Sequence, residues 1–85
     1  MTEERIQEIY DNGAELTTDE LAEYTEATIK SNIDPNFQFL GAEKQVWMRQ
    51  AEKSPEHFIE YLGGAFDWKL EYRGENNWYL HPWGK

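Results

Sequence analysis

The strongest constraint on the fold lies near the C-terminal end, where large apolar side chains alternate with charged ones. From residue 66 to residue 72, every second side chain is large and apolar and each one between is charged. A period of two is typical of a strand with one buried face. After the polar turn 74–77, a second strand begins at Trp78 and reaches at least His81. The pattern predicts an antiparallel hairpin, and a lone hairpin is only marginally stable, so helices must cover its apolar face.

The register of this hairpin follows from keeping its apolar side chains on one face. Pairing Tyr72 with Trp78 and Leu70 with Leu80 achieves this, whereas a shift of one residue would place Leu80 among charges. The same register also predicts that Trp68 lies opposite Pro82. The opposite, outer face of the second strand then carries three ring side chains, namely Tyr79, His81 and Trp83.

Two helices are predicted in the N-terminal part of the chain. The first covers about residues 3–11, with Thr2 as a candidate N-cap. The second runs to about residue 30, and Thr17 and Glu20 at its start have the spacing of a capping box. Each segment has an apolar stripe at helical spacing, so each is expected to pack against the rest of the chain.

Two further helices are predicted before the hairpin. One covers about residues 42–53. The next begins with Ser54 as N-cap and Pro55 in the first helical position, and Gly63-Gly64 is expected to end it. The predicted fold class is therefore α+β: three to four short helices followed by a C-terminal two-stranded antiparallel β-hairpin packed on them.

All 85 residues are expected to form a single domain, with an acidic helical part over 1–34 and a near-neutral helix-plus-hairpin part over 35–85. Because there is no cysteine, stability must come from burial, for which four Trp, five Tyr and four Phe are available. No secretory signal or membrane-spanning run is recognised, and a chain without cysteine suits a reducing compartment. We therefore expect a soluble, cytoplasmic protein.

The acidic charge is concentrated at the N-terminal end. Residues 1–34 hold ten acidic side chains against Arg5 and Lys30, whereas residues 35–85 hold seven acids and six bases. An anionic surface attracts cationic partners and repels phosphates and anionic lipids. The pattern predicts a protein partner with a basic surface, without direct nucleic acid binding and without membrane binding.

The acids of the N-terminal helices suggest how such a partner would be bound. Carboxylates one helical turn apart recur every 5–6 Å or so, and two acidic helices side by side would approximate part of a phosphate track. We therefore interpret the chain as a small non-enzymatic inhibitor or regulator that occupies the nucleic-acid-binding surface of its partner. Small inhibitors made by phages and mobile elements often act in this way, an analogy of size and charge. The candidate contact residues are Glu8, Glu15, Asp19, Glu20, Glu23 and Glu26. The alternative is that these acids only keep the helices soluble.

The outer face of the hairpin is a second candidate contact surface. Exposed rings with a polar atom suit protein–protein contacts, and the edge of a hairpin can pair with another chain or with a second copy. This alternative describes a structural or assembly module that pairs through its aromatic hairpin, with a homodimer as one form. It competes with the possibility that Trp83 folds back to close the core.

The sequence gives little support for a catalytic or a metal-binding site. Neither Ser31 nor Ser54 lies in a nucleophile turn, and His57 with Glu60 is a single i, i+3 pair. We expect no catalytic residues, no metal ligands and no cofactor. A small enzyme or metal protein built around His57 and His81 is the third alternative.

Overall fold

The computed structural model describes residues 1–83, which form four α-helices and a three-stranded antiparallel sheet. The predicted α+β class is confirmed, with a strand between the first two helices that was not predicted. The helices are α1 (Glu3–Asn12), α2 (Thr18–Asn32), α3 (Ala42–Lys53) and α4 (Pro55–Phe66). The strands are β1 (Ala14–Leu16), β2 (Leu70–Tyr72) and β3 (Trp78–Leu80).

The sheet has the strand order β1-β3-β2. The predicted hairpin register is confirmed, since Leu70 pairs with Leu80 and Tyr72 pairs with Trp78. On the other side of β3, Leu16 pairs with Trp78 in antiparallel orientation. The second strand of the hairpin is therefore the central strand, and the edges of the sheet are β1 and β2. The inner face of all three strands packs against the helices.

The predicted N-caps of α1 and α2 are confirmed. The Thr2 hydroxyl accepts a hydrogen bond from the backbone N–H of Arg5 at 3.1 Å. At α2, Thr17 and Glu20 form both bonds of the capping box, at 3.0 Å and 3.1 Å. These bonds satisfy N–H groups that the first turn of a helix leaves without an internal partner.

The predictions for both ends of α4 need correction. Ser54 lies at the N-cap position, but its side chain makes no capping hydrogen bond, and Pro55 alone marks the start. Gly63-Gly64 does not end the helix, which continues to Phe66 and ends at Asp67 in a left-handed conformation with φ 61°. A glycine costs a helix only about 1 kcal/mol relative to alanine, which packing at neighbouring positions offsets. The predicted strand is shortened accordingly and begins at Leu70.

The core lies between the sheet and the helices, with Trp78 of β3 at 0% exposure in its middle. The indole N–H of Trp78 donates to the Thr18 hydroxyl at 2.9 Å, so its one polar atom is satisfied. The other buried apolar residues of this cluster are Ile9, Leu16, Leu21, Tyr24, Ala51, Leu62, Leu70 and Leu80.

A polar network beside Trp78 joins α2, α3 and the sheet. The carboxylate of Glu52 accepts hydrogen bonds from the hydroxyl of Thr18, from the hydroxyl of Tyr72 at 2.7 Å and from the backbone N–H of Asn76 at 2.9 Å. Partial burial alone would raise the pKa of Glu52, but these three donors favour the charged form and lower its pKa below the ordinary value.

Candidate partner-binding surfaces

The six carboxylates predicted as a contact face lie on three different elements. Glu8 is on α1 and Glu15 is on β1, while the other four are on α2. Glu8, Glu15 and Asp19 are exposed, whereas the remaining three α2 acids are half-buried. The structure therefore brings together the α2 group but does not join all six in one continuous track.

The acids of α2 contact the segment that follows this helix. Lys44 of α3 places its Nζ 2.5 Å from the Asp19 carboxylate and 3.5 Å from that of Glu23. The hydrogen bond to Asp19, together with both negative charges, raises the pKa of Lys44 despite partial burial of the ammonium group. Glu26 accepts a hydrogen bond from the backbone N–H of Phe39 at 2.7 Å. These acids thus hold α2 to α3 and to the connector before α3.

The other three carboxylates also have partners within the fold. Glu20 belongs to the capping box of α2. Glu8 lies 3.0 Å from the guanidinium of Arg5, one turn away on α1, and Glu15 lies 3.4 Å from that of Arg73. Both ion pairs are exposed, and exposed pairs contribute only about 0–1 kcal/mol, so a cationic partner could replace them at little cost.

The outer surface of α1 carries the clearest exposed run of acids. Glu4, Glu8 and Asp11 are spaced i, i+4 and i+7, so they lie on one side of the helix, and all three are exposed. We call these three residues the α1 acidic stripe. Only Glu8 was among the predicted contact residues, although the helical spacing of the other two is visible in the sequence.

The outer face of the sheet combines residues from both predicted surfaces. Glu15, Tyr79 and Glu71 lie side by side across the three strands. The guanidinium of Arg73 lies 4.4 Å from the centre of the Tyr79 ring, and it contacts Glu71 at 3.2 Å. His81 places its Nε2 3.0 Å from Glu71, and this hydrogen bond, with the charge of Arg73, lowers the pKa of Glu71. Tyr79 and His81 are therefore on the outer face, as their register predicted, but both already have partners there.

Trp83 leaves the sheet and contacts α1. Its ring stacks on that of Tyr10, with ring centres 5.7 Å apart and planes 14° from parallel, and its backbone N–H donates to the Tyr10 carbonyl at 3.2 Å. The preceding Pro82 has no N–H to continue a strand, so the chain is able to turn away here. Trp83 remains 52% exposed, and it therefore covers the surface rather than closing the core.

Beside Trp83 is a groove of about 640 Å³ between α1, α2 and the end of α4. The aromatic part of its wall consists of two groups, Tyr10 with Trp83 and Tyr24 with Trp68 and Phe66. Trp68 stacks on Phe66 at 4.7 Å and lies 5.1 Å from Tyr24. We call this site the aromatic groove. Sequence reasoning missed it because Trp68 was assigned to the inner face of a strand, whereas it lies in the irregular segment between α4 and β2.

Within residues 1–83, no three His, Asp or Glu side chains are grouped so that they could hold a metal ion. His57 lies exposed on α4, and His81 belongs to the outer face of the sheet. Over the same residues, no helix combines the length and the apolar character needed to cross a bilayer. No protein-family model, curated protein or solved structure matches this chain.

Proposed function

We propose that this chain is a small acidic, non-enzymatic binding protein that inhibits or regulates a partner by occupying a basic surface, such as one that handles nucleic acid. The proposal includes a cytoplasmic location, with which a cysteine-free sequence is compatible. The observation that supports it best is the α1 acidic stripe. Of the 17 carboxylates in the sequence, 13 are exposed, and the four that are half-buried are Glu20, Glu23, Glu26 and Glu52.

The dimensions of the stripe fit this role. Glu4 and Asp11 are seven residues apart, which is about 10.5 Å along a helix. A nucleic acid strand advances about 3.4 Å per phosphate, so the stripe covers roughly the length of three phosphate steps. The acids of α2 contribute less to the anionic surface than the sequence suggested. Lys44 pairs with two of them, and a third accepts a hydrogen bond from the Phe39 backbone.

Exposed charges of this kind act mainly on the rate of association. Each exposed ion pair adds only about 0–1 kcal/mol, but complementary potentials can raise association rates by 10-fold or more at low salt. The binding energy must then come mostly from a second, less polar contact on the same protein.

The test begins with the partner recovered by co-purification from the native host and identified. We expect its association rate with the protein to fall about 10-fold or more between 10 mM and 150 mM salt. The variant Glu4→Gln/Glu8→Gln/Asp11→Asn should reproduce most of this loss at low salt. A matched control, Glu43→Gln/Glu56→Gln/Glu60→Gln, removes three acids that are also exposed, from α3 and α4. Rates that do not respond to salt, or equal losses in the two variants, would contradict the proposal.

A second candidate function is an assembly module that pairs through the sheet. The supporting observation is that Glu15 and Glu71, the cross-strand neighbours of Tyr79 on the outer face, are both exposed. Because β3 is central, new pairing would have to use β1 or β2, and each has only three residues. Sedimentation at increasing protein concentration tests this function, and a constant monomer mass would exclude self-pairing.

A further inference from the structure

We propose that the aromatic groove binds the guanidinium group of an arginine side chain supplied by the basic partner. This inference rests on the proposed function and deepens it, because it names the group that anchors the complex once charge has brought the two proteins together.

The shape and the wall of the groove suit a planar cation. Its volume of about 640 Å³ exceeds that of one side chain, so a short stretch of a partner chain can enter with it. Aromatic faces attract cations within about 6 Å of the ring centre, and guanidinium groups also stack on rings. Tyr10 and Trp83 are 43% and 52% exposed, so their rings are accessible to a ligand.

The ends of three helices bring partial negative charge to the groove. Residues near the C-terminal ends of α1, α2 and α4 all contribute to its wall, among them Tyr10, Asn32 and Phe66. A helix C-terminus carries a partial negative charge of about half an electron, because its last carbonyl groups lack internal partners. The last turns of α1 and α4 contain no basic residue to compensate, whereas the last turn of α2 contains Lys30.

The side-chain charges around the groove also favour a cationic ligand. No Lys or Arg among residues 1–83 contributes to the wall of the groove, whereas Asp67 does. Asp11 does not line the groove, but it accepts a hydrogen bond at 3.0 Å from Gln7, which does. A cationic ligand therefore meets the Asp67 carboxylate, the negative ends of helices and ring faces together.

Elsewhere in the same molecule, an arginine already lies against a ring and carboxylates. On the outer face of the sheet, the guanidinium of Arg73 lies 4.4 Å from the centre of the Tyr79 ring, and Glu15 and Glu71 accept its N–H groups at 3.4 Å and 3.2 Å. In the aromatic groove, the rings and the carboxylate are present, and the arginine would come from the partner.

The first experiment titrates the protein with the blocked tripeptide acetyl-Gly-Arg-Gly-amide and follows the four indole N–H signals by NMR. Trp68 and Trp83 line the groove, whereas Trp47 and Trp78 lie elsewhere and serve as internal controls. We expect the two groove signals to shift, with a dissociation constant on the order of 1 mM. The same peptide with citrulline, which has the same shape without the charge, should bind at least about fivefold more weakly.

Two variants locate the site. Asp67→Asn removes the carboxylate, and asparagine tolerates the left-handed conformation at this position. Trp83→Leu removes the most exposed ring of the groove. Each should weaken binding of the arginine peptide about fivefold or more, whereas the controls Glu60→Gln and Tyr61→Leu, exposed on α4 outside the groove, should change it less than twofold. Thermal melting of every variant confirms that it is folded.

Three results would overturn the inference: equal binding of the citrulline peptide, shifts spread over all four indoles, or binding unaffected by both groove variants. These results are separable from failure of the proposed function. A partner that responds to salt and to the α1 acidic stripe variant, but not to Asp67→Asn or Trp83→Leu, would refute the groove alone. If the groove binds the arginine peptide but the association rate with the partner does not depend on salt, the charge-based function alone is refuted.

Discussion

Gly13 determines where the chain leaves α1 and enters the sheet. Its backbone has φ 72°, a region that side chains other than glycine rarely adopt. A Cβ atom placed there would lie 2.6 Å from the carbonyl oxygen of Leu80 and 2.8 Å from the Cδ of Pro82. The close approach of β1 to the end of β3 therefore depends on the absence of a side chain at one position.

We expect Gly13→Ala to lower the free energy of unfolding by about 2–4 kcal/mol, because backbone strain and overpacking add at this site. Gly64→Ala is the matched control, since a Cβ there meets nothing within 4 Å and the residue lies inside α4. It should raise the same free energy by about 0.5–1 kcal/mol. Urea unfolding measures both variants, and equal effects of the two substitutions would contradict this account of Gly13.

At the scale of the elements, the network around Glu52 ties the helices to the sheet. Glu52 comes from α3, Thr18 from α2, Tyr72 from β2 and Asn76 from the turn before β3. Thr18 also accepts a hydrogen bond from Trp78, so the network contacts the centre of the core. Among residues 1–83 no cation forms an ion pair with this carboxylate, so its three hydrogen-bond donors stabilise the charged form.

This network predicts a pH-dependent contribution to stability. The pKa of Glu52 is lower in the folded protein than its ordinary value of 4.5, so folding favours the charged form. The contribution is complete above pH 4.5 or so and is lost as the pH falls through the lowered value. At pH 7, Glu52→Gln should lower the free energy of unfolding by about 1–2 kcal/mol, a modest figure because the carboxylate is partly exposed to solvent.

Urea unfolding of the wild type and of Glu52→Gln between pH 3 and pH 7 checks this prediction. The difference between the two proteins should be constant near neutrality and should shrink in acid. Glu56→Gln, an exposed acid on α4, is the control and should show little difference at neutral pH. A difference between wild type and Glu52→Gln that is independent of pH would contradict the assigned role of the charge.

At the scale of the whole molecule, the dominant property is the excess of negative charge on a small body. The net charge is −9, and the molecule measures 30 × 28 × 22 Å. At 10 mM salt the screening length is about 30 Å, so every charge interacts with every other, whereas at 150 mM it is about 8 Å. Self-repulsion therefore destabilises the compact state most at low salt.

We expect the melting temperature to rise by about 2–5 °C between 10 mM and 150 mM sodium chloride, because screening weakens repulsion among the many exposed acids more than it weakens a few ion pairs. The triple variant of the α1 acidic stripe should show a smaller rise. Calorimetry at constant pH measures both proteins. A melting temperature that falls with salt would mean that ion pairs such as Lys44 with Asp19 outweigh the repulsion.

Interactions between residues close together in the sequence determined what the sequence could predict by itself. The caps at Thr2 and Thr17 depend on hydrogen bonds between residues three apart, so their spacing identifies them. The register of β2 with β3 follows from the period of two and from the burial of one face. The helices and the hairpin register follow from these signals, whereas β1 is too short, at three residues, to produce a period.

Contacts between distant residues decided the rest. Arg73 pairs with Glu15 across 58 positions, and Lys44 pairs with Asp19 across 25, so no window of sequence reveals that these acids have partners. Trp83 joins Tyr10 only because β3 ends beside α1. The sequence alone determined the excess of acid and the main elements, since both depend on residue type and short spacing. Only the tertiary structure decided which acids stay exposed and where the aromatic groove forms, because packing energy between remote segments exceeds the local preferences that a sequence displays.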